Sequence, residues 1–327
     1  MLTGPSPRSR ALVTGASGFI GTRLVRRLAE RGSTVVAVDI APPREEVAGV
    51  EYITADIRQP LDCQIGSEAD VLYNLAAVHR TPGHPAHEYY ETNVLGAGRV
   101  TALADACRIP LIVFTSSISV YGPTEEVRTE ASPLAPTSDY GRSKLMAELI
   151  HQMWMKATPD RRLVTVRPGV VFGPGERGNY STLASALRSG VFFYPGRRDT
   201  VKSGGHVDEL LRCLEFAVAR EEPEILFNFA FPQESTTADI VAAFGRVTGQ
   251  PRSPMTAPLA PLLLIASLFE VAAAAGLKTP IHRERVMKLV RSTRIAPAWL
   301  LANGYEFELD LDRALGDWAH ETGDRFD

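Results

Sequence analysis

Tyr140 and Lys144 stand four residues apart in Tyr140-Gly141-Arg142-Ser143-Lys144, a stretch with helical periodicity. At that spacing they share one helix face, with β-carbons roughly 5–6 Å apart. A phenol beside an ammonium can move a proton. A free tyrosine titrates near pKa ≈ 10, so work as a base near neutral pH requires roughly 4 kcal/mol in favour of the phenolate. Ser117 follows the apolar run Leu111 to Phe114 closely, at the edge where a strand would end, and its hydroxyl can hold a substrate oxygen. With nine tyrosines in the chain, the pair taken alone also fits two surface residues, and Ser116-Ser117 also fits polar residues that close a strand.

A second string, Thr14-Gly15-Ala16-Ser17-Gly18-Phe19-Ile20-Gly21, lies between the apolar run Ala11 to Val13 and a helical segment carrying Leu24 and Leu28. The order is strand, turn, helix. Glycine is required where the chain turns sharply and where pyrophosphate oxygens approach the backbone, and the helix start offers unpaired amides and its positive dipole end. Gly15, Gly18 and Gly21 fill those places, and Ser17, Phe19 and Ile20 complete the expected cradle. A second apolar run, Thr34 to Val38, ends in Asp39, close to the ~20-residue offset at which an acid takes the adenosine ribose hydroxyls. A carboxylate there disfavours a 2′-phosphate, so NAD is the expected cofactor, while Arg44 leaves NADP open. An oxidised nicotinamide would add to Lys144 a second positive charge in favour of the Tyr140 phenolate.

The elements that must position these groups follow from the remaining apolar runs. They are Glu51 to Ile53, Val71 to Leu75, Leu111 to Phe114, Leu163 to Val166 and Ile225 to Phe229, with helical stretches between, including Glu88 to Cys107 and Tyr140 to Trp154. Runs without polar alternation are expected of strands covered on both faces, which gives an α/β fold: a Rossmann-type, doubly wound parallel sheet with a smaller, mostly helical C-terminal lobe. The strand rhythm fails from Gly173 onward. The expected division is a dinucleotide-binding part at 1–175, with 204–232 returning to it, and a substrate lobe at 176–203 and 233–327.

The chain has 327 residues, 45% hydrophobic and 22% charged, and a formal net charge of -3, the composition of an ordinary globular protein. Lysine and arginine form no basic stripe, which argues against nucleic acid as a partner. Cys63, Cys107 and Cys213 have no metal-ligand spacing and read as free thiols of a reducing cytoplasm. Met1 to Arg10 is polar and reads as no signal peptide. His79, His84 and His87 are close together, but no acid or cysteine completes an obvious coordination set, so no metal is expected; a loop walling the active site is the reading. Pro258 to Gly276 is rich in Leu and Ala, but Glu270 interrupts it and the apolar part is below the ~18 residues of a membrane span. It reads as a buried helix of the substrate lobe, the alternative being a membrane-facing or lipid-binding surface.

In order along the chain stand TGASGFIG, Asp56-Ile57, NLAA from Asn74 to Ala77, Asn93, FTSSISVYG from Phe114 to Gly122, YGRSK, and RPGVVFGPG from Arg167 to Gly175. With these motifs the chain resembles the extended short-chain dehydrogenase/reductase family of nucleotide-sugar epimerases, dehydratases and reductases. The resemblance implies Tyr140 as general acid/base, Lys144 on the nicotinamide ribose, Ser117 on the reacting hydroxyl, and Asp56 and Ile57 flanking adenine. It also implies cofactor contacts at Leu75, Ala76, Ala77, Asn93, Arg167 and Pro168. Sugar 4,6-dehydratases of the family usually carry a Thr-Asp-Glu run; the matching Ser117, Ile118 and Ser119 lack both carboxyls, so elimination lacks its acid and base. FTSSISVYG looks closest to the 4-epimerases, in which hydride leaves sugar carbon 4 and returns to its other face. The alternative is a 4-keto reductase or dehydrogenase that exchanges NAD(P)H, followed by a hydroxysteroid-type dehydrogenase or a non-catalytic dinucleotide sensor. Substrate contacts are expected at His79, Ser117, Ser119, Asn179, Lys202 and Arg283, the family usually having arginine where Lys202 stands. A nucleotide-diphosphate sugar is the implied partner, with a cytoplasmic homodimer paired through the helices Glu88 to Cys107 and Tyr140 to Trp154, serving surface polysaccharide synthesis.

Overall fold

The computed structural model describes residues 9–80, 83–251, 254–274 and 283–327. Most of the Met1 to Arg10 segment, Pro82 and the end of the apolar stretch at 275–276 lie outside the described residues. Seven strands form one parallel sheet: β1 (Arg10–Thr14), β2 (Thr34–Asp39), β3 (Val50–Thr54), β4 (Val71–Asn74), β5 (Leu111–Thr115), β6 (Arg162–Pro168) and β7 (Glu224–Phe229). Their order is β7-β6-β5-β4-β1-β2-β3. Every expected apolar run falls in one of these strands; those inside the sheet are covered on both faces and need no alternation, while the edge strand β3 is only partly buried. One face packs on α1 (Phe19–Glu30) through Leu24, Val25 and Leu28 and on a later helix, Val207–Val218, through Leu210 and Leu214. The other packs on α2 (Gly96–Ala106) and α3 (Asp139–Lys156) through Val100, Leu103, Ala147 and Trp154. The order reverses between β1 and β4, so the loops leaving their carboxyl ends diverge and open a crevice there.

One expectation needs correction. The helix read as Glu88 to Cys107 is a short helix Ala86–Tyr89, a π-helical turn Tyr90–Leu95 and then α2. The widened turn carries Asn93, whose amide exchanges two bonds with the Val78 backbone (2.9 and 3.0 Å) and donates to Ser143 Oγ on α3 (2.9 Å). Past Gly173 the chain is mostly helical, with a few short strands between the helices. Short parallel pairs join Val170–Phe172 to Gly204–His206 and Tyr194–Pro195 to Thr256–Ala257, while Thr293–Ile295 pairs back to Thr124–Arg128. Strands of two or three residues are too short to carry a period. A separate apolar cluster of Phe172, Tyr180, Phe231, Phe244 and Trp318 holds the helices of this part together.

Candidate active site

The glycine turn is built by close approach. Gly15 has φ +75°, and a β-carbon there would lie 2.5 Å from the Ala76 nitrogen at the end of β4. One at Gly21 would lie 2.1 Å from the Gly15 carbonyl oxygen. The turn therefore admits only backbone on its inner side, and α1 starts after Gly18 with no side-chain cap on its first amides. Such a helix start is left for an anion, so these residues fit the diphosphate of a dinucleotide. Asp39 is fixed beside it: one carboxylate oxygen accepts from Ser17 N (2.9 Å) and the other from Ala41 N (3.0 Å). The Ser17 amide is thus engaged by the acid rather than free for phosphate. Arg44 donates to the Gly175 carbonyl (2.9 Å), linking the loop after β2 to the loop after Phe172. Asp56 accepts from the backbone and guanidinium of Arg58 (2.7–3.0 Å), which holds its carboxyl below the usual range. Ile57 is buried where α2 begins, against Gly96. Leu75 N donates to Thr14 O (3.0 Å), which keeps the Leu75–Ala77 stretch against the glycine turn.

Across the crevice, Ser138 caps α3 by accepting from Gly141 N (3.1 Å), and the first turn presents Tyr140. A β-carbon on Gly141 would stand 2.5 Å from the Ser119 carbonyl, so this glycine lets α3 press on the 3₁₀ turn Ile118–Tyr121. That contact sets the Tyr140 side chain beside Ser117, close enough for the serine hydroxyl to act on the phenol. Ser117 Oγ also accepts from Ser119 N (3.1 Å) and lies 3.1 Å from Ser119 Oγ, so the three hydroxyls form one cluster. Burial raises the Tyr140 phenol above its ordinary pKa, and Ser117 pulls in the opposite direction. Lys144 is buried one turn on. Its Nζ donates to Thr115 O (2.8 Å) and sits 4.9 Å from the Phe114 ring centroid. Burial pushes the ammonium down to about 7, against the pull of Glu148. His79 bonds to the Ala77 backbone, and burial, then nearby Lys144, lowers its pKa.

A buried polar network extends this face, and sequence reasoning missed it. Glu148, one further turn along α3, receives Arg167 Nε (2.9 Å) and Nη2 (2.6 Å) and the Ser116 hydroxyl. Arg167 Nη1 donates to the Tyr121 hydroxyl (2.9 Å), which donates to Asn228 Oδ1 (2.8 Å) on β7. The Arg167 side chain, expected at the cofactor, is therefore engaged inside the protein; Pro168 closes β6 beside it. His151 is held neutral by burial, its pKa down to about 4. Its Nδ1–H donates to Ala147 O (2.7 Å), which leaves Nε2 to accept from Asn74 (3.1 Å). The signal available in sequence was the recurrence of polar residues at 140, 144, 148 and 151 on one helix face.

The remaining substrate candidates sit elsewhere. Asn179 is exposed at the start of the helix Asn179–Arg188. Lys202 Nζ donates to the carbonyls of Lys288 and Arg291 (2.7 Å each), closing the end of the helix Arg283–Val290, and burial pushes it down to about 8. Arg283 is exposed, its backbone N on Glu270 (2.8 Å). Among the described residues, no hydrogen bond joins these three side chains to Tyr140, Lys144 or Ser117.

Residues 11–229 match the model of the NAD dependent epimerase/dehydratase family. The chain belongs to that family. Family membership makes it an NAD-dependent enzyme of the extended short-chain dehydrogenase/reductase type, in agreement with the glycine turn. Over 93% of both chains it is 29% identical to an N-acetyl-α-D-glucosaminyl-diphospho-ditrans,octacis-undecaprenol 4-epimerase of Escherichia coli O157:H7. It is 25% identical to a UDP-glucose 4-epimerase of Vibrio cholerae over 79% of this chain and 81% of that one. Among solved structures, MoeE5 in complex with UDP-glucuronic acid and NAD superposes with a TM-score of 0.76 at 25% identity, over 96% of this chain and 100% of that one.

Proposed function

We propose that this epimerase/dehydratase family member is a 4-epimerase of a diphosphate-linked sugar, with Tyr140 as its acid and base. The observation that carries this reading is Tyr140 set beside Ser117, with the buried Lys144 one turn away on α3, at the same carboxyl edge of the sheet as the glycine turn. Ser117-Ile118-Ser119 presents hydroxyls and no carboxyl, which suits proton exchange at one oxygen and not loss of water. Tyr140 takes the proton of the sugar 4-hydroxyl as the keto group forms and returns it after the sugar turns. Ser117 holds that oxygen. Lys144, in its ammonium form, favours the phenolate that takes the proton. When bound, NAD supplies the hydride acceptor and donor; the residues from Gly15 to Gly21 and Asp39 would hold it. Both relatives above are named as 4-epimerases, which supports the same reading.

The carrier of the sugar is a second question. A nucleotide is the family's usual one, but the relative matched over 93% of both chains is named for a polyprenol diphosphate, and that carrier is the second reading here. We also infer a homodimer through α2 and α3, since Leu95, Met146, Leu149 and Met153 are exposed on or beside these helices. The test is to denature the purified protein and measure released nucleotide, then follow interconversion of 4-epimeric sugars on each carrier without added cofactor. An epimerase releases NAD and needs none added. A protein that releases no nucleotide and depends on added NAD(P)H is a reductase or dehydrogenase.

A further inference from the structure

The helix Leu259–Ala274 is apolar almost all round, with only Ser267 and Glu270 polar. A helix of that composition belongs in a core. This one is not enclosed: Ala266 is buried, but Leu264 is 64% and Ile265 46% exposed, which corrects the reading of a buried helix. The exposure continues onto its neighbours. Leu289 (55% exposed) lies on the helix Arg283–Val290 packed along it, and Met255 (82%) precedes it, its carbonyl bonded to Tyr194 N (2.9 Å) next to exposed Phe193. A β-carbon on Gly196 would stand 3.0 Å from Leu259 and 3.6 Å from Val290, so strand pair and both helices meet at one corner.

Cations surround that corner. Arg198 reaches Thr256 Oγ1 (3.4 Å), exposed Lys288 lies in the last turn of the second helix and exposed Arg291 follows it, their carbonyls closed by Lys202. Residues 254–295 contain six lysines and arginines against two glutamates, in a chain whose net charge is -3. Exposed Arg198, Lys288 and Arg291 thus lie beside the protruding apolar side chains. Among the described residues no helix is long and apolar enough to cross a membrane. An apolar protrusion flanked by lysine and arginine suits an element that lies in the headgroup boundary, with apolar side chains among acyl chains and cations on phosphates.

We propose that this corner of the protein docks on an anionic phospholipid surface, with Leu264, Ile265, Leu289 and Met255 inserted and Arg198, Lys288 and Arg291 at the headgroups. The cation surplus selects a lipid surface as the occupant, because an uncharged protein face would leave it without complement. Docking would serve a sugar carried on polyprenol, but it stands on this surface and not on the carrier reading.

The test is co-sedimentation of the full chain with vesicles of phosphatidylcholine containing phosphatidylglycerol, and with phosphatidylcholine alone. Wild type is expected to bind the mixed vesicles, weakly at high salt, and to bind phosphatidylcholine far less. Leu264→Glu with Ile265→Glu is expected to abolish binding, and Lys288→Glu to weaken it by about fivefold or more, on the order of one surface cation's worth. The milder pair Met255→Ser and Leu289→Ser guards against misfolding, and NAD content and melting temperature should match wild type in each. Failure of wild type to bind mixed vesicles, unchanged binding by the Leu264/Ile265 variant, or loss of a dimer in that variant without any vesicle binding would overturn the proposal. Vesicle binding without turnover of polyprenyl-diphosphate sugars would sink the carrier reading alone; turnover of that substrate in detergent without vesicle binding would sink the docking alone.

Discussion

At residue scale, the proposed proton transfer rests on Tyr140 and Lys144 one turn apart on α3 and on Ser117 at the turn after β5. Tyr140→Phe removes the proton carrier and keeps the ring; we expect kcat to fall by about 10²–10⁴-fold while NAD released on denaturation is unchanged. Turnover at the wild-type level would eliminate the proposed mechanism. Lys144 gives a pH signature. Its ammonium is pushed down to about 7 in the folded protein, below the ordinary lysine value that the unfolded chain keeps. Between those two pH values the unfolded state binds more protons, so stability rises with pH across that window. Urea midpoints should climb from pH 7 upward in wild type and climb less in Lys144→Met; parallel slopes would place the effect elsewhere. The spacing of Tyr140 and Lys144 was legible because four residues is one helical turn. Asn93 and Arg167 were legible as residue types only: their bonds run to Val78 and Ser143, and to Glu148 and Tyr121, which no local spacing announces.

The Glu148–Arg167 pair joins elements, bridging α3 to β6, with both side chains 4% exposed. Removing one partner leaves a buried charge without compensation, which costs on the order of 3–5 kcal/mol. We expect Glu148→Gln to lose about that much in denaturant unfolding and Glu148→Leu with Arg167→Met to regain part of it. A loss within about 0.5 kcal/mol, the range of an ordinary surface change, would mean the network does not hold the two elements. Six of the seven strands could be read from sequence because burial on both faces makes each a largely apolar run, while the edge strand β3 keeps only Val50, Tyr52 and Ile53 apolar and is partly exposed. The π-helical turn and the short strand pairs could not: one is set by the Asn93 bonds, the others by two or three residues each.

Over the whole molecule, the surfaces left uncovered matter most. Met146, Leu149 and Met153 lie three, four and seven apart on α3 and are all exposed, Met153 at 72%. Leu149→Glu with Met153→Glu should turn a dimer into a monomer in light scattering, with NAD still bound; an unchanged mass would place any interface elsewhere. The sequence by itself determined the cofactor class and the parallel sheet and marked the Tyr140–Lys144 pair proposed to transfer the proton, because each is written in residues close together along the chain: a glycine turn, one helical turn, an apolar run. Tertiary structure alone decided which partner occupies Arg167, what opposes the burial of Lys144, and which apolar side chains stay outside the core. Those outcomes depend on burial and on partners distant in sequence, and neither has a local period.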